Sequence, residues 1–180
     1  MRIHWLLLLL PAVGFCQTAD SYSLSVGSKL LLSLVTPITT ASAKPGDAVD
    51  LVTDFPVTQR NRMVIPVGST VLARVTAATP SKVRSRAELQ LKFESLTLPN
   101  GVSKPLNATV IDVSLESTAV KGGEGTLHST KGKPVPHCLG GLLCMVTSRK
   151  YPNLELPAHS ALEISLDKAI EFSSDELRGR

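Results

Sequence analysis

From Ala87 onward the side chains alternate. Ala87, Leu89, Leu91 and Phe93 are apolar, and Glu88, Gln90, Lys92 and Glu94 stand between them. Successive side chains of an extended strand point to opposite faces, so this order buries one face and wets the other. The run continues through Leu96 and Leu98 to Pro99-Asn100-Gly101, where Asn-Gly predicts a tight hairpin turn with positive φ values. Beyond it, Ile111, Val113 and Leu115 are expected on one face against Asp112, Ser114 and Glu116. Pro45-Gly46-Asp47 marks another turn ahead of a strand over Ala48–Phe55. The chain reads as mainly β. Its 180 residues suit a single domain that buries a core without help from metals or many disulfides. With 43% hydrophobic and 19% charged residues it is not a disordered chain.

A half-motif recurs three times. When Ser28, Ser69 and Ser160 are aligned, the positions two, four and six residues later are apolar in every copy: Leu30, Leu32, Leu34; Val71, Ala73, Val75; Leu162, Ile164, Leu166. A tight turn that delivers the chain into a strand with one face inward produces this pattern. The copies are unevenly spaced, which excludes a solenoid. Each copy is expected to begin a strand at the rim of one barrel or sandwich-like β-barrel.

At these residues the chain resembles the TrbI-type β-barrel domain of conjugation and type IV secretion channels. The first copy leads to Thr39–Val49, with Pro45-Gly46-Asp47 as the turn after the first long strand. Val64–Val75, the Arg84–Leu89 entry, Leu98-Pro99-Asn100-Gly101 and the closing stretch after Leu156-Pro157-Ala158-His159-Ser160 follow. The resemblance covers roughly Val26 to Phe172, and His159 stands where the family pattern has glycine. It implies a barrel domain over residues 26–172 and an envelope setting. The inner-membrane helix, proline-rich linker and helical antenna of channel-building members have no counterpart in the sequence, which implies a stand-alone periplasmic relative. Residues 17–25 are expected to be a short linker and 173–180 a polar tail.

The N-terminus has the order of a secretory signal. Arg2 and His4 precede the apolar run Trp5–Leu10, then come Pro11 and the small residues Ala12-Val13-Gly14. Trp5–Cys16 is 12 residues, short of the roughly 20 that span a bilayer. Cleavage after Cys16 places small residues at Gly14 and Cys16 and leaves Gln17 as the new N-terminus. Acylation of Cys16, the lipoprotein alternative, is opposed by the large Phe15 before it. The mature chain is therefore expected to be periplasmic or secreted, with no transmembrane span.

Cys138 and Cys144 are the two thiols left after such processing, in an oxidising compartment, so a disulfide is the first reading. Six extended residues span about 20 Å, against a Cα limit of about 7 Å for a bridge. The chain must therefore turn back between them, and Gly140-Gly141 permits that. Two buried free thiols, or a metal site from His128, His137 and both cysteines, are the alternatives; the spacing matches no standard zinc pattern. The apolar stretch 138–146 reads equally as a short helix or a strand.

No acidic residue lies between Asp54 and Glu88, while Arg60, Arg62, Arg74, Lys82, Arg84 and Arg86 do. The last three make a basic turn, either a solvated loop or a contact for an anionic envelope polymer or a partner's acidic face. No aromatic residue is interleaved for base stacking, which disfavours nucleic acid. Lys121–Pro136, with its glycines and lysines, lacks the spacing of a phosphate loop, and a mobile connection is expected there. There is no Gly-x-Ser-x-Gly elbow, no His-Glu-x-x-His pair and no cofactor motif. The sequence thus predicts a non-catalytic exported module that binds or scaffolds an envelope partner through barrel loops. The alternatives are a secreted metal-dependent enzyme using His128, His137 and Cys138, and an accessory subunit of a conjugation or type IV secretion apparatus.

Overall fold

A computed structural model describes residues 21–82, 85–115, 118–121, 125–130, 136–139, 143–146 and 151–178. The first half of the chain forms β1 (Ser21–Leu24), β2 (Lys29–Leu34), β3 (Ile38–Thr39), β4 (Ala48–Thr53), β5 (Val57–Gln59), β6 (Arg62–Ile65), β7 (Thr70–Thr79) and β8 (Glu88–Thr97). There follow β9 (Ser103–Pro105), β10 (Ala108–Val113), β11 (Thr118–Lys121), β12 (Thr126–Ser129), β13 (Pro136–Leu139) and β14 (Leu143–Val146). The chain ends in β15 (Glu155–Leu156), β16 (Ala161–Leu166), β17 (Ile170–Ser173) and a single-turn helix α1 (Ser174–Arg178).

Eight strands follow one another round the main sheet in the order β10-β16-β2-β4-β7-β8-β12-β11, and β9 adds to β8. Every ladder is antiparallel. The two ends of this path come together, β10 against β11 and β8, so the sheet curls into a nearly closed barrel. All nine apolar positions of the threefold half-motif point into it. None of Leu30, Leu32, Leu34, Val71, Ala73, Val75, Leu162, Ile164 and Leu166 exceeds 2% exposure. Complete alternation on β2, β7 and β16 is therefore the main reason the sheet has an inside.

The turns that open these strands are built alike. Ser28, Ser69 and Ser160 each donate their backbone N–H to the carbonyl three residues earlier, at 3.1, 3.3 and 3.1 Å. The residue before each serine has positive φ: Gly27 at 83°, Gly68 at 80° and His159 at 65°. Its own N–H donates to a neighbouring strand end, at Leu166, Thr53 and Leu34 respectively. A side chain in this region costs about 1–2 kcal/mol, which glycine avoids in the first two copies and His159 does not.

Several expectations are corrected by bulges. Ala73 faces Phe93 and Leu72 faces Ser95, so Glu94 is an extra residue on β8. The buried set shifts phase there, from Leu89 and Phe93 to Leu96 and Leu98. On β10 the extra residue is Ile111, which is exposed while Val110 and Val113 are buried, contrary to the simple alternation. At Pro99-Asn100-Gly101 only Gly101 has positive φ, at 86°. Leu98 N–H reaches Val102 O across a three-residue loop, rather than a two-residue turn with both central residues left-handed. The turn with two left-handed residues lies instead at Arg60-Asn61, φ 49° and 60°, between β5 and β6.

The stretch expected as a linker contributes β1, which pairs with β17 from Ser21↔Ser173 to Leu24↔Ile170. Residues 122–124 and 131–135 of the expected mobile connection lie outside the described residues. Between them, however, β12 is an ordered strand. Thr126, Leu127 and Ser129 are buried, and Ser129 both donates to Ala87 O and accepts Ala87 N–H on its Oγ. Near the end of the chain, α1 is closed by a reciprocal cap: Glu176 N–H donates to Ser173 Oγ, and Ser173 N–H to Glu176 Oε2.

Candidate functional site

The basic turn is held in place by its neighbours. Lys82 and Ser85 exchange backbone hydrogen bonds at 3.1 and 3.3 Å. Just before them, Ser81 donates both its N–H and its hydroxyl to Asn153 Oδ1, each at 3.0 Å. Arg86 places its guanidinium 5.5 Å from the centre of the Tyr151 ring, a distance at which the ring's quadrupole attracts a cation. Arg84 lies outside the described residues. Lys82 and Arg86 are exposed, so the described ends of the turn present positive charge to solvent.

The remaining cations of the acid-free stretch divide in two. Arg74 grips Glu94 with one edge of its guanidinium, Nε donating to Oε1 at 2.9 Å and Nη2 to Oε2 at 3.2 Å, and reaches Gly46 O with Nη1. That hydrogen bond holds the Glu94 carboxyl below the ordinary carboxylate range and raises Arg74. The pair sits on the bulge and ties β8 to the turn before β4. Arg62 stacks over Tyr22 at 5.5 Å, and Gln59 Nε2 donates to Ser23 O at 2.6 Å. The hairpin β5–β6 is thereby moored to β1 with Arg60 exposed at its tip.

Lys104 forms a second anchored pair. Its Nζ is 2.6 Å from Glu176 Oε1 and 5.9 Å from the centre of the Phe172 ring. Hydrogen bonds from Lys104 and from Ser173 N–H lower the pKa of Glu176. A carboxylate with a lowered folded pKa contributes stability that is present above its unfolded pKa and is lost as pH falls through the folded one. Docking of α1 is therefore expected to weaken as pH drops below the ordinary glutamate value of 4.5. Amide exchange along β17 and α1, compared between wild type and Glu176→Gln, checks this: the variant should show a flatter acid limb.

His128 lies on β12, opposite Glu88 of β8 and Ala119 of β11. Its side chain is 13% exposed, with Nδ1 3.4 Å from Glu88 Oε1, but neither ring nitrogen makes a hydrogen bond. His137 and Cys138 belong to β13, whose side chains lie outside the described residues, as do Cys16 and Gln17. Among the described residues no group of three or more histidines, cysteines and carboxylates stands close enough to hold a metal.

The stretch that could be helix or strand is a pair of strands. β13 and β14 are antiparallel, with Pro136 opposite Val146, His137 opposite Met145 and Leu139 opposite Leu143. This register sets Cys138 directly across from Cys144. Among the described residues no helix is long and apolar enough to cross a membrane.

No protein-family model matches the sequence, and no curated protein matches it. Among solved structures the chain is similar to ComB10 of the Com type IV secretion system of Helicobacter pylori, at 12% identity and a TM-score of 0.50. That similarity covers 83% of this chain and 90% of that one, so it spans the barrel and is not confined to one hairpin. The nearly closed antiparallel barrel and the shared extent together give this chain the fold of a TrbI/ComB10-like β-barrel domain.

Proposed function

We propose that the protein is a non-catalytic, exported barrel module that binds or scaffolds envelope proteins, most directly as an accessory subunit of a secretion or conjugation apparatus. The observation that carries this reading is the barrel-wide likeness to a secretion-system component. The basic turn supports a loop-mediated contact, because Asn153 and Tyr151 hold its two ends at Ser81 and Arg86 and ends already ordered lose less entropy on binding. An acidic protein face or an anionic envelope polymer is its natural complement. Photo-crosslinking from Lys82 in whole cells, followed by mass spectrometry, tests this. Adducts with envelope proteins are expected, and charge reversal at Arg84 and Arg86 should reduce them while leaving the circular dichroism unchanged. A protein that yields no envelope adduct from any barrel loop would sink the reading.

Export also bears on the cysteines. We infer that Cys138 and Cys144 are bridged in the mature protein, since directly opposed residues of an antiparallel pair have Cα atoms about 4.5–5.5 Å apart, within the range a disulfide spans. Such a bridge would lock β13 to β14. Intact mass of exported, unreduced protein should be lighter than that of reduced protein by two hydrogens; equal masses would remove the bridge.

A further inference from the structure

A cleft lies where two strands of the barrel part company. β2 and β4 are paired from Leu32↔Thr53 to Leu34↔Leu51, and Val35 N–H still reaches Asp50 O at 2.9 Å. There the chain leaves. Thr36-Pro37 carries it into β3, which pairs with β15 instead. β4, meanwhile, runs on to Ala48 with, among the described residues, only β7 beside it, Ala48 opposite Arg74 and Val49 opposite Ala73. The parting opens a cleft of about 650 Å3, a size typical of built binding sites.

Its composition is selective. Pro37, Ile38, Val49 and Leu156 supply apolar walls, and the ionisable side chains of the lining, Asp47 and Glu155, are both acids. This acidic cleft belongs to a chain with a formal charge of +4. Asp47 spends Oδ2 on the N–H of Lys44 in the turn before β4, and Glu155 is exposed at the cleft mouth. One edge of β4 at Ala48–Val49 therefore faces the cleft without a partner strand.

We propose that this cleft takes an extended peptide segment of a partner protein, one that alternates apolar and basic side chains and adds a strand beside β4. A sheet edge supplies main-chain hydrogen bonds, and alternate pockets supply selection. Here the apolar walls take one set of side chains, while Asp47 and Glu155 take the cations of the other. The site is separate from the basic turn, which prefers the opposite charge, so it can fail while the envelope cross-links from Lys82 persist.

The test uses the full mature chain and a capped synthetic peptide of alternating valine and arginine. Saturable binding is expected, with amide shifts centred on Ile38, Thr39, Ala48 and Val49. Glu155→Lys should weaken binding roughly tenfold, and Thr36→Trp, which fills the cleft from its exposed rim, should abolish it. A valine–glutamate peptide should not bind. The proposal is overturned if those amides stay still, if Glu155→Lys binds the arginine peptide as tightly as wild type, or if the acidic peptide binds equally well. Arginine amide alone saturating the cleft with the same affinity would also overturn it, in favour of a small-cation site.

Discussion

Gly125→Ala is expected to lower stability by about 2–5 kcal/mol, more than alanine at any other described glycine with positive φ. Two costs combine there. Gly125 has φ 61°, a left-handed conformation that costs an alanine about 1–2 kcal/mol. An added Cβ would also lie 2.7 Å from Thr109 Cγ2 and 3.1 Å from the backbone nitrogen of Val110, an overpacking cost of about 1–3 kcal/mol. Gly27, Gly46, Gly68 and Gly101 share the positive φ but have nothing within 4 Å of a new Cβ, so alanine there should incur the first cost alone. The difference has a structural reason: Gly125 lies where the turn between β11 and β12 meets β10, at the seam that closes the barrel. Adding Thr109→Ser removes the methyl and should recover only part of the loss, because the Val110 backbone stays. Urea unfolding of Gly125→Ala, Gly101→Ala, Thr109→Ser and the Gly125→Ala/Thr109→Ser double variant checks this. Equal costs at Gly125 and Gly101 would mean that the seam is not closely packed.

Phe172→Ala should cost about 3–5 kcal/mol, the range for emptying a large aromatic from a core that cannot fully collapse. Phe172 is 1% exposed and heads the largest buried side chains. It sits on β17 facing Tyr22 of β1, with the Lys104 ammonium over its ring. The loss should appear as a lower urea midpoint with an unchanged slope. Phe172→Leu, which retains most of the apolar contact, should recover more than half of it. If alanine costs less than about 1 kcal/mol, β1 and β17 contribute little to the fold, and the barrel stands without them.

How legible each part was depends on how completely its strands alternate. β2, β7 and β16 show in the sequence because every inward position is apolar and a turn residue precedes each. β8 shows too, but its change of phase between Phe93 and Leu96 becomes a bulge only once β7 is laid beside it. β12 hides because two of its three buried side chains are Thr126 and Ser129, whose hydroxyls bond to neighbours the sequence does not announce. Arg60-Asn61 hides for a different reason: it makes a left-handed turn without glycine. The basic turn was visible as charge. The moorings of its two ends were not, because Asn153 and Tyr151 come from a distant part of the chain. Nor could the cleft be read, since it arises from strands ceasing to pair.

The ladder between β1 and β17 governs how the protein answers a mechanical load. Ser21, where the described chain enters, lies opposite Ser173, where it turns into α1. Tension between these points acts at one end of the ladder and across it, so the bonds open in succession, as in a zip. Load passes to the other strands through the moorings of this ladder, Gln59 to Ser23 on one side and Lys104 to Glu176 on the other. Tethers pulling at these two points would thus work first on a ladder of four residue pairs.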